Sequence, residues 1–332
     1  MKLVTFTLGD GGEARLGALI GEAQVLDLQQ AQVLAHGAPH PDLASMQALI
    51  ETEGAGLERA RALASAAPEA AILARGDVNL LAPLPRPVQL RDCLCFEEHL
   101  IGSAEAVMRR TGANEPAQRH KDMATVFKAR PIYYKANRFA VTGPDTVVNW
   151  PAYSQAMDYE LEMGCVIGRR GVDIAHADAA SHIFGFTIFN DFSARDTQGF
   201  EMQSGLGPSK SKDFDNANAL GPCIVTADEF DPYDAAMIVR VNGEVRSEGH
   251  SSTMNYSFED LISFISTGET LHPGEILGSG TVGGGCGLEQ DRLLESGDEV
   301  ELEIVGIGRL RNRVVASQPR ALVSQQSRKV GP

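Results

Sequence analysis

Short apolar runs separated by glycine-containing turns open the chain: LVTFTL, ARLGALI and QVLDL, with Gly-Asp-Gly-Gly and Gly-Glu between them. Runs of that length, punctuated by turn formers, predict a small antiparallel meander. Residues 42–67 are rich in Ala, Leu, Glu and Met around a Glu-Gly-Ala-Gly break, which predicts two short helices. Next, VNLLAPLPRPVQL sets Pro83, Pro85 and Pro87 in alternation. Alternating prolines forbid a helix and favour an extended connector. A domain boundary is expected there, with a small N-terminal α+β domain over 1–86 and a larger domain over 87–332.

Past the connector the strongest helical signal is Ser257–Thr267. Ser257 is placed to cap it, Asp260 follows three residues on, and Gly268 stops it. Phe258, Leu261, Ile262 and Ile265 recur at helical spacing and mark its core face. A second helix is expected from near Phe96 through HLIGSAEAVMRR. Most of the remainder reads as strand: PIYYKA, RFAVTG, EMGCVIG, FGFTIF, GPCIVT, AMIVRVNGE and DEVELEIVGIG. The pattern predicts a strand-dominated α+β fold rather than alternating βαβ units. A polar, low-complexity tail starts at about Ser317.

Composition narrows the function. The 44 acidic against 29 basic residues, net charge −15, lack the basic face that nucleic acid requires and disfavour an anionic membrane surface. An apolar share of 43% suffices for a sizeable core, and no apolar run is long enough to span a bilayer. The N-terminal apolar stretch is too short for a signal peptide. Five scattered cysteines (Cys93, Cys95, Cys165, Cys223 and Cys286) suit free thiols in a reducing cytoplasm better than a disulfide framework. Neither GxGxxG after a strand nor GxxxxGK[ST] is present, so a nucleotide fold lacks its signature.

Three segments carry candidate chemistry. In DYELEMGCVIG, Glu160 and Glu162 stand at i and i+2, which puts both on one face of a strand. Adjacent carboxylates repel, which is tolerable in water or around a cation. A solvated strand face is the plain explanation, as for Glu299, Glu301 and Glu303 in EVELEI. The switch into an apolar run at Met163 favours a cation, because a strand entering a core is a costly place for paired charges. In HIFGFTIFNDFSARDTQ, Asp191 closes a buried strand and is followed by Arg195, Asp196 and Gln198. Asp191 is either a cap or part of a polar site. In LRDCLCFEEHL, Asp92 and His99 are seven apart, and His99 is either a surface residue or a base with a carboxylate beside it. Lys210 and Lys212 lie in a Gly/Pro-bounded loop, where most lysines are solvated.

Taken together, Asp92 with His99, the Glu160/Glu162 pair, NDFSARDTQ, LGPSKSKDF, the turn GSGTVGG and the closing GIGRLRNRV closely resemble the fumarylacetoacetate hydrolase superfamily. The resemblance covers essentially everything after the proline connector. It implies a mixed β-roll, a homodimer, and a divalent metal, magnesium foremost with manganese or calcium as alternatives. The metal would be held by Asp92, Glu160, Glu162 and Asp191, an all-oxygen set that a hard cation prefers. The implied reaction hydrolyses a carbon–carbon bond in a 1,3-diketo acid such as an acylpyruvate, in the breakdown of aromatic compounds. His99 would take a proton from water and Lys212 would stabilise the departing enolate. Tyr134, Arg195, Gln198, Gly280 and Thr281 match positions that contact substrate.

The sequence departs from the family pattern at three points. Met202 stands where the animal fumarylacetoacetate hydrolases carry a tyrosine, and a substrate arginine falls on either Arg109 or Arg110. The family's distant glutamate that orients the histidine has no counterpart aligning after Thr281, since GGGCGLEQDRLLESGD is too short. Glu97 or Glu98 is expected to replace it, with the adjacent Glu98 taken as the catalytic candidate. Two rivals share these residues: a lyase on the same scaffold (2-oxo acid hydratase, isomerase or decarboxylase), and a non-catalytic carboxylate cluster that binds calcium for stability.

Overall fold

A computed structural model describes residues 1–9 and 11–318. Asp10 of the first turn and the tail beyond Gln318 lie outside the described residues.

The opening meander forms as its punctuation predicts. Strands Lys2–Thr7, Arg15–Ile20 and Gln24–Asp27 pair antiparallel in succession, and Ile72–Ala74 joins the edge. Lys2–Thr7 also pairs with Asn218–Thr226, through Lys2 opposite Val225, so the N-terminal strands continue one sheet shared with the rest of the chain. That sheet has 12 strands. Beyond Asn218–Thr226 it runs through Ile183–Asp191, Leu161–Ile167, Ile276–Gly278 and Leu90–Leu94 to Ile132–Lys135. A second, five-stranded sheet contains Glu244–His250, Ala236–Val241, Glu299–Ile304, Gly308–Val315 and Val147–Asn149. The architecture is mixed α+β and strand-dominated, as the short β-type runs predict.

Helix Phe258–Ser266 carries the capping box its sequence announces. The Ser257 hydroxyl accepts from the Asp260 N–H, and the Asp260 carboxylate accepts from the Ser257 N–H. Phe258, Leu261, Ile262 and Ile265 are buried on one face, and Phe258 packs 5.5 Å from the Phe186 ring of the main sheet. Each such burial contributes about 1.5–3 kcal/mol, which is what fixes this helix on the sheet. The predicted pair in residues 42–67 appears as Met46–Glu51 and Ala55–Ala66, and the helix after Phe96 as Glu97–Thr111, ending at left-handed Gly112.

Among the described residues four α-helices fall outside the predicted set: the short His176–Ala179 and Arg195–Glu201, and two longer ones. Leu28–His36 grows out of QVLDL because Asp27 ends the strand and caps the helix through the Gln30 N–H. Gln118–Ala129 buries only Phe127, so its sequence shows no apolar stripe to find. In EVELEI the glutamates alternate with buried Val300, Leu302 and Ile304, and Arg240 pairs with both Glu301 and Glu303. All five cysteines are free and buried. Among the described residues no helix is long and apolar enough to cross a membrane.

Candidate active site

Register brings the candidate carboxylates together. Asp92 lies on Leu90–Leu94, which runs parallel to Ile276–Gly278 with Gly278 opposite Asp92. On its other side Asp92 faces Tyr134. Leu161–Ile167 pairs with Ile276–Gly278 on one side and Ile183–Asp191 on the other, carrying Glu162 and Asp191 to the same end of the sheet. The outcome is a buried trio: one carboxylate oxygen from each of Asp92, Glu162 and Asp191 lies within 4.8 Å of the others.

Glu160 is adjacent but differently engaged. It sits just outside the strand, in an isolated bridge with Cys286. Its Oε2 accepts from Lys212 Nζ at 2.5 Å, and its Oε1 lies 2.8 Å from Arg195 Nη1. Lys212 also donates to Asp191, tying the pair Glu160–Lys212 to the trio. Tyr134 donates to Asp191 Oδ2 at 2.7 Å. Arg195 further donates to Asp158 at 2.8 Å and to Gln198 Oε1 at 2.9 Å. Gly280 N–H donates to Glu162 Oε2 at 3.1 Å, and the Thr281 hydroxyl reaches Glu162 Oε1 at 3.5 Å. Gly280 and Thr281 therefore grip the trio's own glutamate. At Gly280 a side chain is excluded twice: φ is +75°, and a Cβ would stand 2.4 Å from the Cys93 carbonyl oxygen.

The electrostatics favour a cation. Five carboxylates (Asp92, Asp158, Glu160, Glu162 and Asp191) are buried here beside two cations, Arg195 and Lys212. Burial pushes the Glu162 carboxyl well up, and the neighbouring Asp92 adds to the rise. Burial likewise raises Asp191 well above its usual range, against the downward pull of Lys212. Asp92 is raised by burial against a hydrogen bond with Glu162 and the charge of Lys212. For Glu160 burial is overcome by Arg195 and Lys212, which hold it well below the ordinary carboxylate range. Asp92 Oδ1 and Asp191 Oδ1 are buried with no hydrogen-bond partner. Orphaned oxygens, excess negative charge and an all-oxygen donor set fit a hard divalent cation.

Gly278 leaves room for the trio: a Cβ there would lie 2.7 Å from Asp92 Oδ1 and 2.9 Å from Glu162 Oε2. Gly278→Ala is expected to splay these two carboxylates and lower divalent-cation affinity by about tenfold or more, with the fold retained. Isothermal titration with manganese beside circular dichroism checks this; unchanged affinity would place the cation elsewhere.

His99 projects from the first turn of Glu97–Thr111, and its Nδ1 lies 2.7 Å from Glu289 Oε1. The carboxylate at the ring is thus Glu289, where the sequence pointed to Glu97 or Glu98. The Glu98 carboxylate instead lies against Gly283, where an added Cβ would meet its Oε2 at 2.6 Å. Residues 282–285 form a tight turn closed by Gly285 N–H to Val282 O, so the glycine-rich loop doubles back and delivers Glu289 without needing length. Glu289 Oε2 accepts from Gly284 N–H at 2.9 Å, which fixes the carboxylate. Both arginines left open reach the same loop: Arg109 donates to the Glu289 carbonyl at 2.7 Å and to Asp291 at 2.8 Å, and Arg110 Nε lies 3.9 Å from Asp291.

A second residue escaped the sequence reading. Asp158 is fully buried and accepts from Gly287 N–H, Leu288 N–H and Arg195 Nε, so one carboxylate holds both the loop bearing Glu289 and the arginine beside Glu160. Its signal was present: Asp158, Glu160 and Glu162 alternate.

The chain is similar to known proteins over most of its length. The family model described as fumarylacetoacetate (FAA) hydrolase C-terminal matches residues 95–315. A mitochondrial oxaloacetate tautomerase of Homo sapiens is 34% identical over 257 residues, covering 77% of this chain and 74% of that protein. The fumarylacetoacetate hydrolase of psychrophilic Exiguobacterium antarcticum superposes with a TM-score of 0.72 at 26% identity, over 96% of this chain and 100% of that one. Maleylpyruvate hydrolase from Sphingobium sp. SYK-6, solved with manganese(II) and pyruvate, gives 0.69 at 25% identity with the same coverage.

Proposed function

Because the chain belongs to the fumarylacetoacetate hydrolase family, we propose that it is a divalent-cation-dependent hydrolase that cleaves a carbon–carbon bond in a 1,3-diketo acid of the acylpyruvate type. The observation that carries the reading is the His99–Glu289 pair, whose loop bridges through Cys286 to Glu160, together with the buried carboxylate trio that Lys212 ties to Glu160. Asp92, Glu162 and Asp191 would hold the cation, with Glu160 as the fourth carboxylate of the set. Magnesium is the first choice and manganese the second, the latter supported by the manganese in the Sphingobium structure. When bound, the cation supplies Lewis acidity, polarising the oxygens of the dicarbonyl unit.

The chain's own groups do the rest. Glu289 holds the proton on His99 Nδ1, which leaves Nε2 free to take a proton from water. The water oxygen adds to the acyl carbonyl carbon. The bond to the central carbon then breaks, and its electron pair leaves as the enolate of the 2-oxo acid fragment. Lys212, paired with Glu160 and Asp191, would turn an N–H to that enolate oxygen. The imidazolium returns its proton to the enolate carbon, so the products are a carboxylic acid and a 2-oxo acid. Arg195, held by Asp158, Gln198 and Glu160, would bind the substrate carboxylate. Tyr134, Gly280 and Thr281 shape the same site. Homodimeric assembly in the cytoplasm completes the proposal.

A second reading, tautomerisation of a 2-oxo diacid, is favoured by the 34% identity to an oxaloacetate tautomerase. It needs the same enol-stabilising site but no attack by water. Acetylpyruvate and enol-oxaloacetate, each assayed with magnesium or manganese, separate the two. Hydrolysis predicts one pyruvate formed per acetylpyruvate consumed, measured with a lactate dehydrogenase couple. Loss of enol absorbance with the carbon chain intact on both substrates would replace the hydrolase reading by the tautomerase one.

A further inference from the structure

The loop that delivers Glu289 also delivers a thiol. Cys286 stands three residues earlier in the same loop, just after the turn, fully buried, with Sγ 3.3 Å from Glu289 Oε1. That same oxygen lies 2.7 Å from His99 Nδ1. The other carboxylate oxygen is fixed by Gly284 N–H. Ring nitrogen, sulfur and oxygen thus lie within 4.8 Å of one another, each from a different side chain, and His99 is partly open to solvent. Imidazole, thiolate and carboxylate are the donors that zinc and its neighbours take, usually with three protein ligands and one open position. Magnesium and calcium disfavour sulfur and nitrogen, so this donor set selects against the ions suited to the oxygen trio.

We propose that His99, Cys286 and Glu289 form a second cation site, specific for a borderline or soft divalent ion such as zinc. Binding replaces the thiol proton, which leaves to solvent, and takes the lone pair of Nδ1. A neutral ring held at Nδ1 must carry its proton on Nε2, where it donates instead of accepting. The loaded enzyme therefore loses its base. This consequence rests on the reading of His99 as the base; the site itself does not. Small rearrangement suffices, since ligand atoms around zinc at about 2.0–2.3 Å sit farther apart than hydrogen-bonded ones.

Cobalt(II) reads the site independently of turnover. With magnesium saturating, one equivalent of cobalt added to the wild-type protein is expected to give a near-ultraviolet thiolate-to-cobalt absorption band that zinc abolishes. Cys286→Ser and Cys286→Ala are expected to lack it, and the zinc concentration for half-inhibition should rise by about 100-fold or more in both. No band in the wild type, or a band that persists in both variants, would overturn the proposal. Zinc inhibition unchanged in both variants would also overturn it, by assigning inhibition to the oxygen trio. A band that depends on Cys286 without loss of turnover would keep the site and remove His99 as the base. Should one variant fail to fold, the other carries the comparison.

Discussion

Glu162→Gln and Asp191→Asn are each expected to abolish turnover and divalent-cation binding together, with affinity lowered about 100-fold or more. Each removes a charged donor from the buried trio, and Glu160 is held by Lys212 and Arg195 instead of standing free to replace it. The same substitutions should not lower the melting temperature of the cation-free protein. Burial and like charge push both carboxyls well above their usual range, so the native chain holds these charges at a cost that the amides relieve. Calorimetry beside cation titration checks both halves. Normal cation affinity in both variants would remove the trio as the metal centre.

The same physics fixes how stability should vary with pH. Groups whose folded pKa is raised stabilise the native state fully at low pH, where they are protonated, and lose that contribution as pH rises through the folded value. Protein stripped of cation by chelation is therefore expected to melt lower at pH 8 than at pH 6. Saturating magnesium or manganese should remove most of that difference, because the cation takes the place of the protons. Equal melting temperatures at the two pH values after chelation would mean that the trio is not strained by its own charge.

His99→Ala is expected to lower turnover by about 10²–10⁴, the usual worth of a general base, while leaving affinity at the carboxylate trio near normal. Glu289→Gln should lower turnover by about tenfold or more, since an amide can accept or donate at Nδ1 and no longer enforces one tautomer. Glu98→Gln should stay within about threefold of wild type, because that carboxylate lies against Gly283 and does not reach the ring. Steady-state kinetics on a cleavable diketo acid decides among them. A larger loss for Glu98→Gln than for Glu289→Gln would reverse the assignment of the orienter.

Those contrasts trace what the sequence could convey. Alternation showed only that Glu160 and Glu162 share a face; that Asp92 and Asp191 belong with Glu162 came from the family resemblance, and the strand register that gathers them is not written in any local pattern. The capped helix Phe258–Ser266 was legible, since cap, stripe and stop agree. Glu289 was not. Its position follows from a tight glycine turn at 282–285, and turn geometry sets where a side chain lands independently of how many residues the loop contains. Asp158 was visible as the first acid of an alternating series, but its partners are backbone N–H groups of that same loop, which no side-chain pattern records. Glu160 shows the converse limit. Its spacing from Glu162 left a solvated face and a cation site open, and its contacts with Arg195 and Lys212, residues 35 and 52 positions away in sequence, are recorded by no local pattern.

The central claim is that one cation on the Asp92–Glu162–Asp191 trio and the Nε2 face of His99 address the same substrate. Anomalous diffraction from crystals soaked with manganese and oxalate, a planar mimic of the 2-oxo acid enolate, tests it directly. The account predicts one manganese peak ligated by Asp92, Glu162 and Asp191, with oxalate on it and His99 Nε2 turned towards the open side. A manganese peak away from those three carboxylates, or a His99 ring facing away from the bound oxalate, would contradict it.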